Sequence, residues 1–163
     1  MKKRAIIVDL DGTLVNNTER IDAALELHKN SLHSVKVRWD DIYKDTDKLD
    51  TPNAWCMEIV RNFNIQGYKI LFLTGRAATK ATKEATMRWI DKYVSAGVDY
   101  ELIMRPEKDF RKNHIVKKQT IEDKILPTYD VLFAIDDHSE NANMMRDMGI
   151  TCLHCMDYTE PGY

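Results

Sequence analysis

Short apolar runs alternate with longer amphipathic stretches along the chain. Residues 5–8 (AIIV), 68–73 (YKILFL), 100–104, 131–135 (VLFAI) and 150–155 read as buried strands, being short, apolar and rich in β-branched or aromatic residues. Between them lie helical periods. Ile21, Ala24, Leu25, His28 and Leu32 recur at helical spacing behind Thr18, a candidate N-cap. Thr51 and Pro52 read as a cap and a first-turn proline for a second helix, with Trp55, Ile59 and Phe63 inward and an end at Gln66 and Gly67. Residues 77–94 carry Ala81, Ala85, Arg88, Trp89, Ile90 and Tyr93 on a third. A fourth opens in the basic stretch 108–118 and runs towards Leu126, before Pro127. The last begins at Ser139 and Glu140 and is closed by Gly149. Residues 35–50 show no clear period and read as loop with a short helix. Strands alternating with crossover helices predict an α/β, Rossmann-like parallel sheet of five strands with helices on both faces.

Composition narrows the class. The 163 residues suit one domain, taken as 1–163, and an apolar fraction of 44% supports a real core. A net charge of -2 means that a polyanionic partner must be met by a local basic patch. The apolar run behind the basic first residues is cut by Asp9, too early for a signal peptide, and no stretch approaches a membrane span, so the expected location is cytoplasmic. Cys56, Cys152 and Cys155 are too few for a disulfide framework. Cys152, His154 and Cys155 resemble a metal motif only in part, because a strand turns Cys155 away from the other two. His28 and His33, on the edge of an amphipathic stripe, read as packing or surface residues.

The chemistry gathers at strand ends, where open α/β sheets bind ligands. Residues 5–13 (AIIVDLDGT) bring Asp9 to the end of the first strand and Asp11 two positions on. Strand alternation predicts that both carboxylates share one space, with Gly12 turning the chain away. Such a pair repels unless a proton or a divalent cation neutralises it. Two solvated strand-end aspartates would be the bland alternative, but matching groups follow in order: Thr74, Gly75 and Arg76 after the second strand, and Asp136 and Asp137 after the fourth. Oxygen-only ligands at Asp9, Asp11, Asp136 and Asp137 suit Mg²⁺. Thr74 and Lys117 would complete a phosphate cradle, lysine as a point charge; the other cations of 108–118 read as a solvated helix face.

The arrangement resembles the haloacid dehalogenase superfamily of phosphatases, whose motifs are matched in order by DLDGT at residues 9–13, by Thr74, by Lys117 and by Ile135, Asp136 and Asp137. The resemblance implies a Mg²⁺-dependent phosphomonoesterase in which Asp9 becomes an aspartyl-phosphate and Asp11 protonates the leaving group and then activates water, with Thr74 and Lys117 catalytic. More closely, residues 68–76 (YKILFLTGR), 109–118 (DFRKNHIVKK) and 134–137 (AIDD), with Asp45, Thr46 and Asp47, are similar to the 3′-phosphatase domain of phage-type polynucleotide kinase/phosphatase. That implies a 3′-phosphorylated nucleic-acid end as substrate, with Gly75, Arg76 and either Arg20 or Arg38 against it. The chain departs from that pattern at three points. It holds no phosphate loop for a kinase, residues 15–50 are longer and form a candidate small cap, and Asn113 and His114 stand where the pattern is acidic. A phosphatase of free nucleotides or other small phosphate esters is the enzyme alternative. A receiver-type phosphoacceptor module is the non-catalytic one, disfavoured because its acceptor lies mid-chain. A homo-oligomer stays open.

Overall fold

The computed structural model describes residues 1–29, 43, 46–94 and 97–155. Its centre is β1 (Lys3–Val8), whose AIIV run is buried on both faces. Ile6 and Val8 enter one core with Val60, Phe72 and Trp89, while Ala5 and Ile7 enter the other with Leu71, Ile121 and Met145. This is the period-2 alternation of a central strand. Around it stand β4 (Lys69–Ala77), β5 (Tyr100–Arg105), β6 (Tyr129–Asp136) and β7 (Cys152–His154), all parallel, in the order β5-β4-β1-β6-β7. A short antiparallel pair, β2 (Val15–Asn16) and β3 (Thr51–Pro52), lies after the first turn. The helices are α1 (Thr18–Lys29), α2 (Thr46–Leu49), α3 (Ala54–Ile65), α4 (Lys80–Tyr93), α5 (Asn113–Thr120) and α6 (Ser139–Asp147). From β1 the chain builds outward through β4 to β5, then returns to the other side of β1 for β6 and β7. The crevice of a doubly wound sheet opens where the order reverses, here between the carboxyl ends of β1 and β6.

The α/β sheet with helices on both faces is as the hydrophobic pattern predicts, and the differences are local. Pro52 pairs with Val15 in β3 instead of opening a helix, and α3 starts after Asn53, whose side chain donates to Thr13 O at 2.8 Å. The inward stripe of α3 is Cys56, Val60 and Phe63, so Trp55 turns outward and is 44% exposed. At α1, Thr18 is already helical, with Asn17 O accepting from Ile21 N and Asn16 Oδ1 from the Thr18 amide, so the cap position is Asn17, one residue earlier than expected. Strand β4 continues to Ala77 and α4 begins at Lys80 on a Thr79 cap. The basic helix begins only at Asn113, leaving 106–112 as a loop, and passes Pro127 through a π-helical turn (Ile121–Ile125) into a last turn (Leu126–Thr128). No described helix is long and apolar enough to cross a membrane. Residues 30–42, 44 and 45 of the candidate cap, Arg38 and His33 among them, lie outside the described residues.

Candidate active site

Strand geometry ends at Val8, and the next residues fold into a tight turn. Thr13 N and Val15 N both donate to Leu10 O, at 3.1 and 2.8 Å, and Gly12 N donates to Val15 O at 2.9 Å. Gly12 has positive φ, and a Cβ there would overlap the Asp137 carboxylate. Glycine is therefore required on two grounds, conformation and the close approach of β6.

The turn separates the two aspartates. Asp9 stays with the sheet ends: Lys117 Nζ, rising from α5, donates to Asp9 Oδ1 at 2.6 Å and to Asp136 Oδ2 at 2.7 Å. Burial pushes the Asp9 carboxyl well above the usual carboxylate range, against the pull of Lys117. Burial works against the Lys117 ammonium too, but the charges of Asp136 and Asp9 outweigh it and hold its proton more tightly than usual. Asp136 Oδ1 accepts from His138 N and Asn141 Nδ2, both at 3.0 Å, so both of its oxygens are engaged by protein donors. Burial followed by the Asp136 charge raises the Asp137 carboxyl to about 7, against the pull of Lys117 and of a backbone N–H.

Asp11 belongs to a different cluster. Arg76 grips it bidentately, Nε to Oδ2 and Nη2 to Oδ1, both at 2.8 Å, and Arg20 from the first turn of α1 adds Nη2 to Oδ1 at 2.9 Å. Against the cost of burial, Arg76 and then Arg20 hold the carboxyl below its ordinary value. The expectation that strand alternation places Asp11 beside Asp9 is thus corrected. The extended backbone stops at Val8, and the Asp11 side chain faces the arginines. Thr74 is buried three residues before the end of β4, where its hydroxyl accepts from Arg76 N at 3.2 Å. Gly75 presents its carbonyl to Arg105.

Sequence reasoning missed the parts that hold the arginines. Buried Asp50 accepts from Arg20 Nε at 2.7 Å and lies 3.6 Å from Arg76 Nη2, while Thr46 Oγ1 donates to its other oxygen. Trp89 Nε1 donates to the Asp50 carbonyl at 3.0 Å, and Thr86 Oγ1 accepts from Arg76 Nη1 at 3.0 Å. The Tyr43 ring lies 5.1 Å from the Arg20 guanidinium and 5.2 Å from that of Arg76. Apart from the bond between Thr46 and Asp50, each of these contacts crosses 10 to 39 positions, so no local motif announces it. The Asn113 and His114 side chains bond elsewhere than to Lys117 Nζ: Asn113 Oδ1 accepts from Arg105 and His114 Nδ1 meets Glu140 Oε2 at 3.1 Å.

Asp9, Asp136 and Asp137 each offer a carboxylate oxygen within 4.8 Å of the others, a hard, all-oxygen donor set that fits a divalent cation; Asp11 is not in this group. Of the cysteine segment, Cys152 is buried in the core, and Cys155 Sγ lies 3.7 Å from Thr13 Oγ1.

A buried carboxylate at a sheet switch point, a lysine between two acids and an acidic pair on the neighbouring strand are the marks of a haloacid dehalogenase-type phosphatase, a phosphoric monoester hydrolase of a class that generally uses a divalent metal. Residues 38–158 match the phosphatase domain of polynucleotide kinase PNKP, and the chain belongs to that family. A protein of Autographa californica nuclear polyhedrosis virus, named as a bifunctional polynucleotide kinase/RNA ligase, is 28% identical over 159 residues, which span 96% of this chain and 20% of the viral one. The structure superposes on a chain of the Pnkp1/Rnl/Hen1 RNA repair complex with a TM-score of 0.73 and 28% identity, covering 98% of this chain and 44% of that one. The chain therefore spans less than half the length of these relatives. A haloacid dehalogenase-like hydrolase from Streptococcus pneumoniae shares the fold at 14% identity, with a TM-score of 0.61 over 92% of this chain and 83% of its own.

Proposed function

We propose that this chain, as one phosphatase domain in the cytoplasm, removes the phosphate from 3′-phosphorylated nucleic-acid ends with Mg²⁺ bound near Asp9. The observation that carries the reading is the pair of arginines, Arg76 and Arg20, drawn from two elements onto the turn that follows Asp9. Their guanidinium forks suit phosphate oxygens as well as they suit the Asp11 carboxylate. Family membership and the RNA repair assembly named for a relative support an RNA end.

Asp9 Oδ2, left open by Lys117, attacks phosphorus as the bond to the 3′ oxygen breaks, and the phosphoryl group passes to Asp9. Lys117 fixes the Asp9 rotamer and offsets charge on the transferring group. In the arrangement described, Asp11 is ionised, so it gives up a proton only after the arginines leave it. An incoming phosphate supplies that exchange: Arg76 and Arg20 shift to its oxygens, the Asp11 value rises, and Asp11 takes up a proton from solvent that it then hands to the leaving 3′ oxygen. Water attacks the Asp9 phosphoryl in the second step, with Asp11 taking its proton. Asp9, Asp136 and Asp137 would hold the cation, since each offers a carboxylate oxygen within 4.8 Å of the others. The cation, when bound, supplies neutralisation of these carboxylates and polarisation of a phosphoryl oxygen.

The test is phosphate release from a 3′-phosphorylated oligonucleotide, a 5′-phosphorylated one and a 3′-mononucleotide in parallel, each as RNA and DNA. Preference for the 3′-phosphorylated RNA is expected. Equal or faster turnover of the mononucleotide would move the substrate to a small phosphate ester.

A further inference from the structure

We propose that Phe110 is the stacking platform for the base of the terminal nucleotide at a 3′-phosphorylated single-stranded end, an inference that rests on the function proposed above. Phe110 is 90% exposed, on the loop between β5 and α5. A lone exposed apolar side chain needs no explanation by itself, but the backbone that carries this one is held in place. Arg105 donates through Nη1 to the carbonyls on either side of it, Asp109 O at 3.0 Å and Arg111 O at 2.8 Å. The same guanidinium donates through Nε to Gly75 O at 3.0 Å and through Nη2 to Asn113 Oδ1 at 3.2 Å. Gly75 directly precedes Arg76, the residue that grips Asp11. One side chain thus ties the loop that carries the ring to the strand end that carries the phosphate-seeking arginine.

The loop is also clamped from within. Asp109 accepts from the Arg111 backbone and guanidinium at 3.2, 2.9 and 2.6 Å, and Lys108 holds a left-handed φ of 66° that a residue with a Cβ rarely adopts. Backbone of this kind persists where surrounding contacts impose it, and such positions cluster at ligand clamps.

Charge selects the occupant. In a chain of net charge -2, Lys108, Arg111 and Lys112 flank Phe110 along the same loop; Asp109 offsets Arg111, Glu140 reaches Lys112 only at 3.8 Å, and Lys108 has no acidic partner among the described residues. A rigid aromatic face with cations beside it fits a single strand, whose bases stack while its phosphates meet the lysines. The stack is indifferent to base identity, because every base has a π face.

The test compares the unaltered protein, Phe110→Ala and Phe110→Trp on a 3′-phosphorylated oligonucleotide and on the same strand with its terminal base removed. Phe110→Ala is expected to raise KM for the complete strand by about tenfold, the size of one lost stack, with Phe110→Trp restoring it. On the strand without its terminal base, the unaltered protein and Phe110→Ala should converge. Kinetics of Phe110→Ala equal to those of the unaltered protein on the complete strand would overturn the proposal, as would a loss that persists without the base. An unaltered protein that prefers a 5′-phosphorylated strand would instead overturn the function on which the proposal rests, and that comparison is read separately from the variants.

Discussion

Replacing Asp9 by asparagine is expected to lower turnover by on the order of 10⁴-fold or more while the fold stays in place. Asparagine keeps the shape of the side chain but has no carboxylate to form an acyl phosphate. The fold survives because the charge of Asp9 is a burden to it: burial pushes this carboxyl up, so a neutral amide relieves a desolvation cost. Lys117 keeps Asp136 at 2.7 Å and is not left alone in the core. Thermal unfolding of Asp9→Asn should lie within a few degrees of the unaltered chain, and phosphate release should be near background. Substantial residual turnover would remove Asp9 from the nucleophile's role.

Chelation should abolish phosphate release and added Mg²⁺ restore it, and the same acidic cluster gives a second readout that does not depend on turnover. Asp137 is raised to about 7 and Asp9 is raised as well. In the cation-free protein both groups therefore hold protons more tightly than they do in the unfolded chain, where carboxyls titrate near 4. A raised folded value contributes stability below the unfolded value and loses it as pH climbs through the folded one. Cation-free Tm should accordingly fall by on the order of 5 °C between about pH 5 and about pH 8. Mg²⁺ takes the place of the protons, so it should raise Tm at the upper end of that range and have little effect at the lower. Metal-independent turnover, or a Tm indifferent to Mg²⁺ at high pH, would contradict the placement of the cation.

The positions that could be read from sequence are those at strand ends. The AIIV run had to be buried on both faces, and β1 divides it between two cores. Once the parallel order is known, Asp9, Thr74, Asp136 and Asp137 must emerge along one edge of the sheet. Lys117 could be set apart from the other cations of 108–118 only as the point charge that a phosphate cradle needs and by its place in the order of motifs, and α5 carries it to both Asp9 and Asp136. Asp11 was misplaced because the alternation rule was carried past Val8 into a turn. Asp50 gave no signal. It sits in a charged stretch without period, and its worth comes from Arg20, Arg76 and Trp89, which tertiary structure alone brings to it. Pro52 shows the same limit on a smaller scale, since a cap-and-proline pair reads as a helix start until Val15 is available as a strand partner.

The most direct test of the account is to mix the enzyme with a 3′-phosphorylated oligonucleotide and Mg²⁺, quench in acid within the first turnover, and map the phosphoryl group by peptide mass. The expected result is a single acid-stable, hydroxylamine-labile adduct on the peptide that carries Asp9, absent from Asp9→Asn. A phosphoryl group mapped to any other residue would contradict it.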